Sequence, residues 1–290
     1  MTTISLLAPK RFPTLPEIAG VKLAAGACGL RYKGRSDVML AELAAGTAVA
    51  GVFTRSLTAA APIDWCRAAL KSGRVRAIVV NSGNANAFTG RVGELAVQDT
   101  VKAAAKVIGC QKNQIFVSST GVIGEPLPVE RLTKALPRLK EKLSPKSWKA
   151  AATAIMTTDT FPKGATRAAE IDGVTVTLNG FSKGSGMIAP DMATMLGYVF
   201  TDAKIAQPVL QKALTAATDK SFNAITVDSD TSTSDTVLLC ATGKARHREV
   251  SALGDPRFKD FRRALESIMV DLAQQIVRDG EGASKFVEVT

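Results

Sequence analysis

Short apolar, β-prone runs alternate along this chain with segments whose apolar residues recur at helical spacing. That alternation of two periods constrains the fold more than any other feature. Residues 47–53 (TAVAGVF), 75–80 (VRAIVV), 115–119 (IFVSS), 174–178 (VTVTL), 194–200 and 236–240 read as strands. Residues 62–71, 92–108, 128–143, 207–218 and 258–278 read as helices, the second with Leu95, Val97, Val101 and Val107 on its apolar stripe. No repeat, low-complexity tract or linker interrupts the pattern. A mixed α/β chain follows, although strand order does not. The last six residues, KFVEVT (285–290), also alternate as a strand does, and the chain stops inside the pattern. The sequence is therefore expected to lack a downstream segment.

The chain has 290 residues, 46% of them hydrophobic and 22% charged, which is enough apolar material for a real core and argues against widespread disorder. No run reaches the length of a membrane span, and the first twenty residues lack the flank and apolar stretch of a signal peptide. The net charge is +11, with basic residues concentrated at 131–149 and 244–263. This reads as solvated faces, or as a surface that attracts acidic metabolites. Nucleic-acid motifs are absent and aromatic residues make up only 5%, so neither nucleic acid nor membrane is expected as a partner.

Four cysteines (Cys28, Cys66, Cys110, Cys240) form no CxxC pair, and His247 is the single histidine. A metal site is poorly supplied, and a reducing cytoplasmic setting fits the thiols. His247 lies in the basic run KARHRE, which reads as a surface loop or strand end. A histidine-based nucleophile mechanism is thus not expected.

Four polar, glycine-containing segments break the apolar pattern. NSGNANAFTG (81–90) reads as a strand-to-helix loop. SSTGVIG (118–124) reads as a tight turn, whose backbone N–H groups could also serve as an oxyanion hole. In MTTDT (156–160), the hydroxyls suit an amino-acid substrate, and Asp159 or Thr160 suits a helix N-cap. The longest, KGSGMIAPDMATMLGYVFTDA (183–203), puts Lys183 on a glycine-rich loop and Thr194 after Ala193 at the start of a strand. A threonine there is either core packing or a residue that attacks the preceding carbonyl. The second route yields a threonine whose free α-amine serves as base for its own hydroxyl, which needs no histidine.

Taken together, GVFTRS (51–56), NSGNANAFTG, VSSTGVIG, MTTDTFPK, GFSKGSGMIAPDMATML, ITVDSDTSTSDTV (225–237) and DGEGASKF (279–286) resemble, in order, the ornithine acetyltransferase (ArgJ) family. The resemblance runs from about residue 10 to the C-terminus. It implies an α/β (α+β) fold of the DmpA/ArgJ type, an αββα sandwich with N-terminal-nucleophile logic. It further implies self-cleavage between Ala193 and Thr194, giving an α chain of 1–193 and a β chain from 194 to 290, and an α2β2 heterotetramer in the cytoplasm. The reaction implied is transfer of an acetyl group from N-acetylornithine to glutamate in arginine biosynthesis, by ping-pong kinetics through an acetyl-Thr194 ester. No cofactor or metal is implied, and acetyl-CoA is a candidate donor because bifunctional members accept it.

The family's roles carry over onto matching positions. Thr194 is the cleavage residue and nucleophile. Thr120 and Gly121 are the oxyanion-hole pair. Thr157, Lys183, Thr194 and Glu281 are substrate contacts. Family members run well past the EGASKF block, so the β chain here is expected to be incomplete. Two other readings remain: an aminopeptidase of related fold, and a catalytically inactive fragment.

Overall fold

The computed structural model describes residues 4–189 and 195–289. Among the described residues, nine strands build two sheets and six α-helices pack against them. The first sheet has the order β1-β2-β4-β5, from β1 (Val21–Gly26), β2 (Val38–Leu43), β4 (Ala77–Asn84) and β5 (Ile115–Val122). Its strands are antiparallel except for the parallel β4/β5 pair. The second sheet has the order β3-β9-β8-β7-β6, from β3 (Ala48–Phe53), β6 (Lys163–Ile171), β7 (Val174–Lys183), β8 (Leu196–Thr201) and β9 (Thr236–Ala241). Here only β8 and β9 run parallel.

The period-2 rule explains the layering. On β8, Leu196, Tyr198 and Phe200 face the first sheet, while Val199 between them joins the opposite core. On β9, Leu238 and Cys240 face inward to the first sheet, and Val237, Leu239 and Ala241 face outward. The central strands β8 and β9 are therefore buried on both faces, which is why they read as continuous apolar runs. Its outer face is covered by α5 (Gln207–Asp219) and α6 (Lys259–Arg278), whose apolar stripes include Leu210, Leu214, Ile268 and Leu272. The first sheet is covered by α1 (Ala61–Leu70), α2 (Gly90–Ile108) and α3 (Val129–Glu141). The short α4 (Trp148–Ala154) packs on strands of both sheets, with the Trp148 ring edge-on to Phe181 and Phe200 at 6.4 and 5.7 Å. The layers are αββα, as expected from the resemblance.

Several local expectations change. β5 continues through Thr120, Gly121 and Val122, so the segment read as a tight turn is the end of a strand that pairs with β4. The first four residues of NSGNANAFTG likewise belong to β4. Lys183 is the last residue of β7 rather than a loop residue, and it is buried. Leu95 is exposed, because the stripe of α2 runs instead through Ala96, Val97, Val101 and Ala104. Residues 285–289 form no strand; Val287 and Val289 are exposed, with no neighbouring strand among the described residues to complete a ladder. His247 is buried, not superficial: its Nε2 accepts from Lys204 N–H at 3.0 Å, and Nδ1 lies 2.8 Å from the Arg248 carbonyl. Strands β1, β2 and β6 and helix α4 carry no sequence expectation at all.

One buried ion network ties the second sheet to the loops that follow. Lys163, at the start of β6, is fully buried, and its Nζ lies 2.7 Å from Asp159 Oδ1 and 2.6 Å from Asp279 Oδ2. Asp159 also accepts from Thr157 N–H at 3.0 Å and Gly184 N–H at 2.7 Å. Asp279 accepts from Thr160 N–H at 2.9 Å and from the Thr160 hydroxyl. No helix follows Asp159, which overturns the N-cap reading of MTTDT: the carboxylate bonds Gly184 and Lys163 because β6 begins there. Burial alone would raise the Asp159 carboxyl, but Lys163, Lys183 and the two donors that bond it outweigh burial and hold it well below the usual carboxylate range.

Lys163→Met leaves two buried carboxylates without their cation. Urea denaturation at neutral pH should show a loss of about 3–5 kcal/mol. A depressed carboxyl contributes stability that is present above its unfolded value and lost as pH falls. The wild-type chain should therefore lose stability on acidification below about pH 4, and the deficit of the variant should shrink over the same range. A variant as stable as wild type at neutral pH would contradict the account.

Candidate active site

The site begins where β4 and β5 end side by side. Their parallel register slips at Gly83 and Asn84, where Asn84 is opposite both Thr120 and Val122. A bulge of this kind bends the strand ends and re-aims their backbone. Gly121 sits there at φ +131°, and a Cβ on it would lie 2.3 Å from the Gly83 carbonyl carbon and 2.6 Å from Asn84 N. Only glycine fits both the backbone angle and the gap. Two polar side chains below the bulge bond one another and the backbone: Ser119 Oγ bonds Asn81 Oδ1 at 2.7 Å, and Asn81 Nδ2 donates to the Asn84 carbonyl at 2.8 Å.

Above these strand ends lies a cavity of about 400 Å³, of the size that holds a small metabolite. Thr120, Gly121, Thr157, Lys183 and Glu281 all line it, although they come from four separate stretches of the chain. Ala193 and Thr194, the two cleavage positions expected from the sequence, lie outside the described residues. The described chain resumes at Met195, whose N–H donates to Asp235 Oδ1 at 2.7 Å.

Lys183 Nζ lies 3.3 Å from Thr120 Oγ1, so the β7 end reaches across to the β5 end. Burial pushes the Lys183 ammonium down; Asp159, Asp235 and Glu281 oppose that push, and Lys163 adds to it. Burial pushes the Asp235 carboxyl up to about 7, against the lowering effect of the Met195 N–H and Lys183. Burial thus acts in opposite directions on two ionisable groups that face one another, lowering the Lys183 ammonium and raising the Asp235 carboxyl.

Glu281 is held by its backbone, since its N–H donates to the Ser185 carbonyl at 2.8 Å. Its carboxylate lies over Gly186, where a Cβ would fall 2.8 Å from Oε1. Gly186 therefore leaves room for the acid to stand at the cavity wall. Thr158 Oγ1 and Ser185 Oγ bond at 2.7 Å and hold the two loops together below it. A lysine and a glutamate on one cavity can take the carboxylate and the ammonium of a zwitterionic amino acid.

The cavity also contains residues that the sequence reasoning left without roles. Tyr32 forms part of the wall, with the Arg35 guanidinium 4.1 Å from its ring centroid and Arg35 in turn bonded to the Met156 carbonyl. Asp230 and Ser232–Ser234 supply further polar lining. The density of hydroxyls in DSDTSTSDT was the available signal for these; Tyr32 offered none.

The ArgJ family model matches residues 22–290. The arginine biosynthesis bifunctional protein ArgJ of Ruegeria pomeroyi is 58% identical over 291 residues, which cover 100% of this chain and 70% of that protein. The protein of the same name from Bradyrhizobium diazoefficiens is 54% identical over 292 residues, covering 100% of this chain and 71% of that protein. Among solved structures, the ornithine acetyltransferase of Mycobacterium tuberculosis, complexed with ornithine, is 31% identical with a TM-score of 0.52, over 61% of this chain and 93% of that chain. An L-aminopeptidase D-Ala-esterase/amidase from Ochrobactrum anthropi, described as a variant of the Ntn hydrolase fold, covers 94% of this chain and 89% of its own with a TM-score of 0.51. At 10% identity it shares the fold alone. With a family model spanning most of its length and relatives more than half identical along it, the chain belongs to the ArgJ family.

Proposed function

We propose that this chain is a self-processing acetyltransferase that moves an acetyl group from N-acetylornithine to glutamate. One observation carries the reading: Thr120, Gly121, Thr157, Lys183 and Glu281, each matched to a role by sequence, converge on a single cavity. Membership of the ArgJ family and likeness to an ornithine-bound ornithine acetyltransferase support the same substrate class.

The chemistry runs in two acyl transfers. In processing, the Thr194 hydroxyl attacks the Ala193 carbonyl, and water resolves the resulting ester to leave chains 1–193 and 194–290. The new α-amine, with an ordinary value of about 7.7–8.0, then serves as base for its own hydroxyl. The hydroxyl takes the acetyl group from N-acetylornithine, ornithine leaves, and glutamate collects the acetyl from the Thr194 ester. Thr120 and Gly121 donate to the tetrahedral oxyanion at both stages. Lys183 pairs with the substrate carboxylate, and Thr157 and Glu281 bind its remaining polar groups. An ester intermediate between two amine substrates requires ping-pong kinetics. Acetyl-CoA is an alternative donor in this scheme, and an α2β2 assembly is the proposed working form.

Intact mass measurement of the purified protein should give two fragments divided between Ala193 and Thr194. Thr194→Ala should give one uncut chain without transferase activity; continued transfer by that variant would remove Thr194 from the mechanism. Incubation with N-acetylornithine alone should add an acetyl mass to the fragment that begins at Thr194. Gly121→Ala forces a Cβ into the β4 backbone at the oxyanion position. It should lower kcat by about 10²–10³-fold, read as initial rates of N-acetylglutamate formation, and a loss of less than threefold would remove Gly121 from that role.

A further inference from the structure

We propose that Arg35 is a positioning residue for substrate binding, whose guanidinium pins the peptide that presents Thr157 to the cavity. The inference rests on the reading of Thr157 as a substrate contact.

Two opposite charges grip one peptide unit. The Arg35 guanidinium donates to the Met156 carbonyl, and the Thr157 N–H donates to Asp159 Oδ2 at 3.0 Å. That carbonyl and that N–H belong to the same planar peptide, so holding both ends fixes its plane and sets where the Thr157 Cα stands. Asp159 comes from the buried ion network. Arg35 comes from a different part of the chain, the segment between β1 and β2.

Arg35 is itself held in place. Its guanidinium carbon lies 4.1 Å from the Tyr32 ring centroid, a cation–π contact. Tyr32 lines the cavity and rests on Gly83, where a Cβ would fall 3.1 Å from the Tyr32 ring and 2.9 Å from Arg31 Cβ. Gly83 is the residue against which Gly121 packs. The base of the segment is tied by Asp37, which is buried and accepts from Cys28 N–H at 2.6 Å and from Leu30 N–H at 2.8 Å. An arginine that merely staples two loops is the alternative. Arg35 and Met156 are both half-buried, so water can replace either partner, and folding alone does not call for the guanidinium. What the staple joins is a ring and a peptide that both shape the cavity wall, those of Tyr32 and Thr157.

The test compares Arg35→Met and Arg35→Lys with wild type, with folding of each checked by circular dichroism. Methionine keeps an unbranched stem against Tyr32 but no donor. Lysine returns a charged donor without the flat stack. A contact made equally to ground state and transition state changes KM and spares kcat. Arg35→Met should therefore raise KM for N-acetylornithine and for glutamate about tenfold, with kcat within about threefold of wild type. Calorimetric titration with ornithine, which needs no turnover, should show affinity weakened by the same factor. Arg35→Lys should recover at least about threefold of that loss. The double variant Arg35→Met/Thr157→Ala should fall short of the product of the two single effects by about threefold or more, because both act through one side chain. A merely structural role would lower stability and leave KM and ornithine affinity unmoved. Arg35→Met with KM within about threefold of wild type overturns the inference, as does a lysine variant no better than methionine, or a double variant equal to the simple product. If Arg35→Met does not fold, Arg35→Gln, which keeps a shorter uncharged donor, decides: ornithine affinity weakened at least about threefold supports the inference, and a smaller change overturns it. A wild-type chain that neither transfers acetyl nor binds ornithine overturns the proposed function and this inference together. A wild type that does either, with an indifferent Arg35→Met, overturns this inference alone.

Discussion

The buried ion network of Asp159, Lys163 and Asp279 is the constraint on which the site depends. A fully buried ammonium is tolerated only where carboxylates meet it at hydrogen-bond distance. Lys163 satisfies that requirement with two acids that lie 120 residues apart in the chain, by the numbering of Asp159 and Asp279. Those acids in turn bond the backbone of Thr157, Thr160 and Gly184. The threonine pair at 157–158, the glycine-rich exit of β7 and the segment that carries Glu281 are thereby drawn to one place. The network is costly to assemble and more costly to break, which gives the cavity wall a defined geometry rather than a set of loose loops.

The strand ends supply the other wall by a different principle. β4 and β5 run parallel until the register slips, and at that slip a glycine with positive φ lets one backbone press against the other. Lys183 bridges the two walls by reaching Thr120. One wall is thus held by buried charge and the other by close backbone packing. Burial lowers the Lys183 ammonium and raises the carboxyl of Asp235, which acts on it electrostatically.

Much of the architecture was legible beforehand. Apolar runs at 47–53 and 236–240 became β3 and β9 with boundaries close to those expected, and the run at 75–80 became β4, which continues to Asn84. The helices expected at 62–71, 92–108 and 207–218 became α1, α2 and α5; Pro62 and Pro208 fit their first turns, and Gly109 in the left-handed region ends α2. Other elements were hidden for physical reasons. β6 contains a lysine at its start, Arg167 and Glu170, and it shows no apolar run, because half of one face is exposed and its end is buried by ion pairing. KFVEVT had the right alternation but no partner strand among the described residues, and alternation without a ladder does not make a sheet.

The sequence by itself determined a mixed α/β chain, through its two periodicities; its motif blocks, whose order resembles the ArgJ family, implied the αββα class and named Thr120, Gly121, Thr157, Lys183 and Glu281, which line the cavity. Local chemistry is written in residue types, and short-range pattern follows from backbone geometry. The tertiary structure decided what depends on contacts distant in sequence: that Lys183 ends a strand instead of riding a loop, that Asp159 binds a buried lysine instead of capping a helix, and that Asp235 grips the amide after position 194. Burial and pairing are properties of the folded environment, so the charge state of these groups is fixed only when distant segments meet.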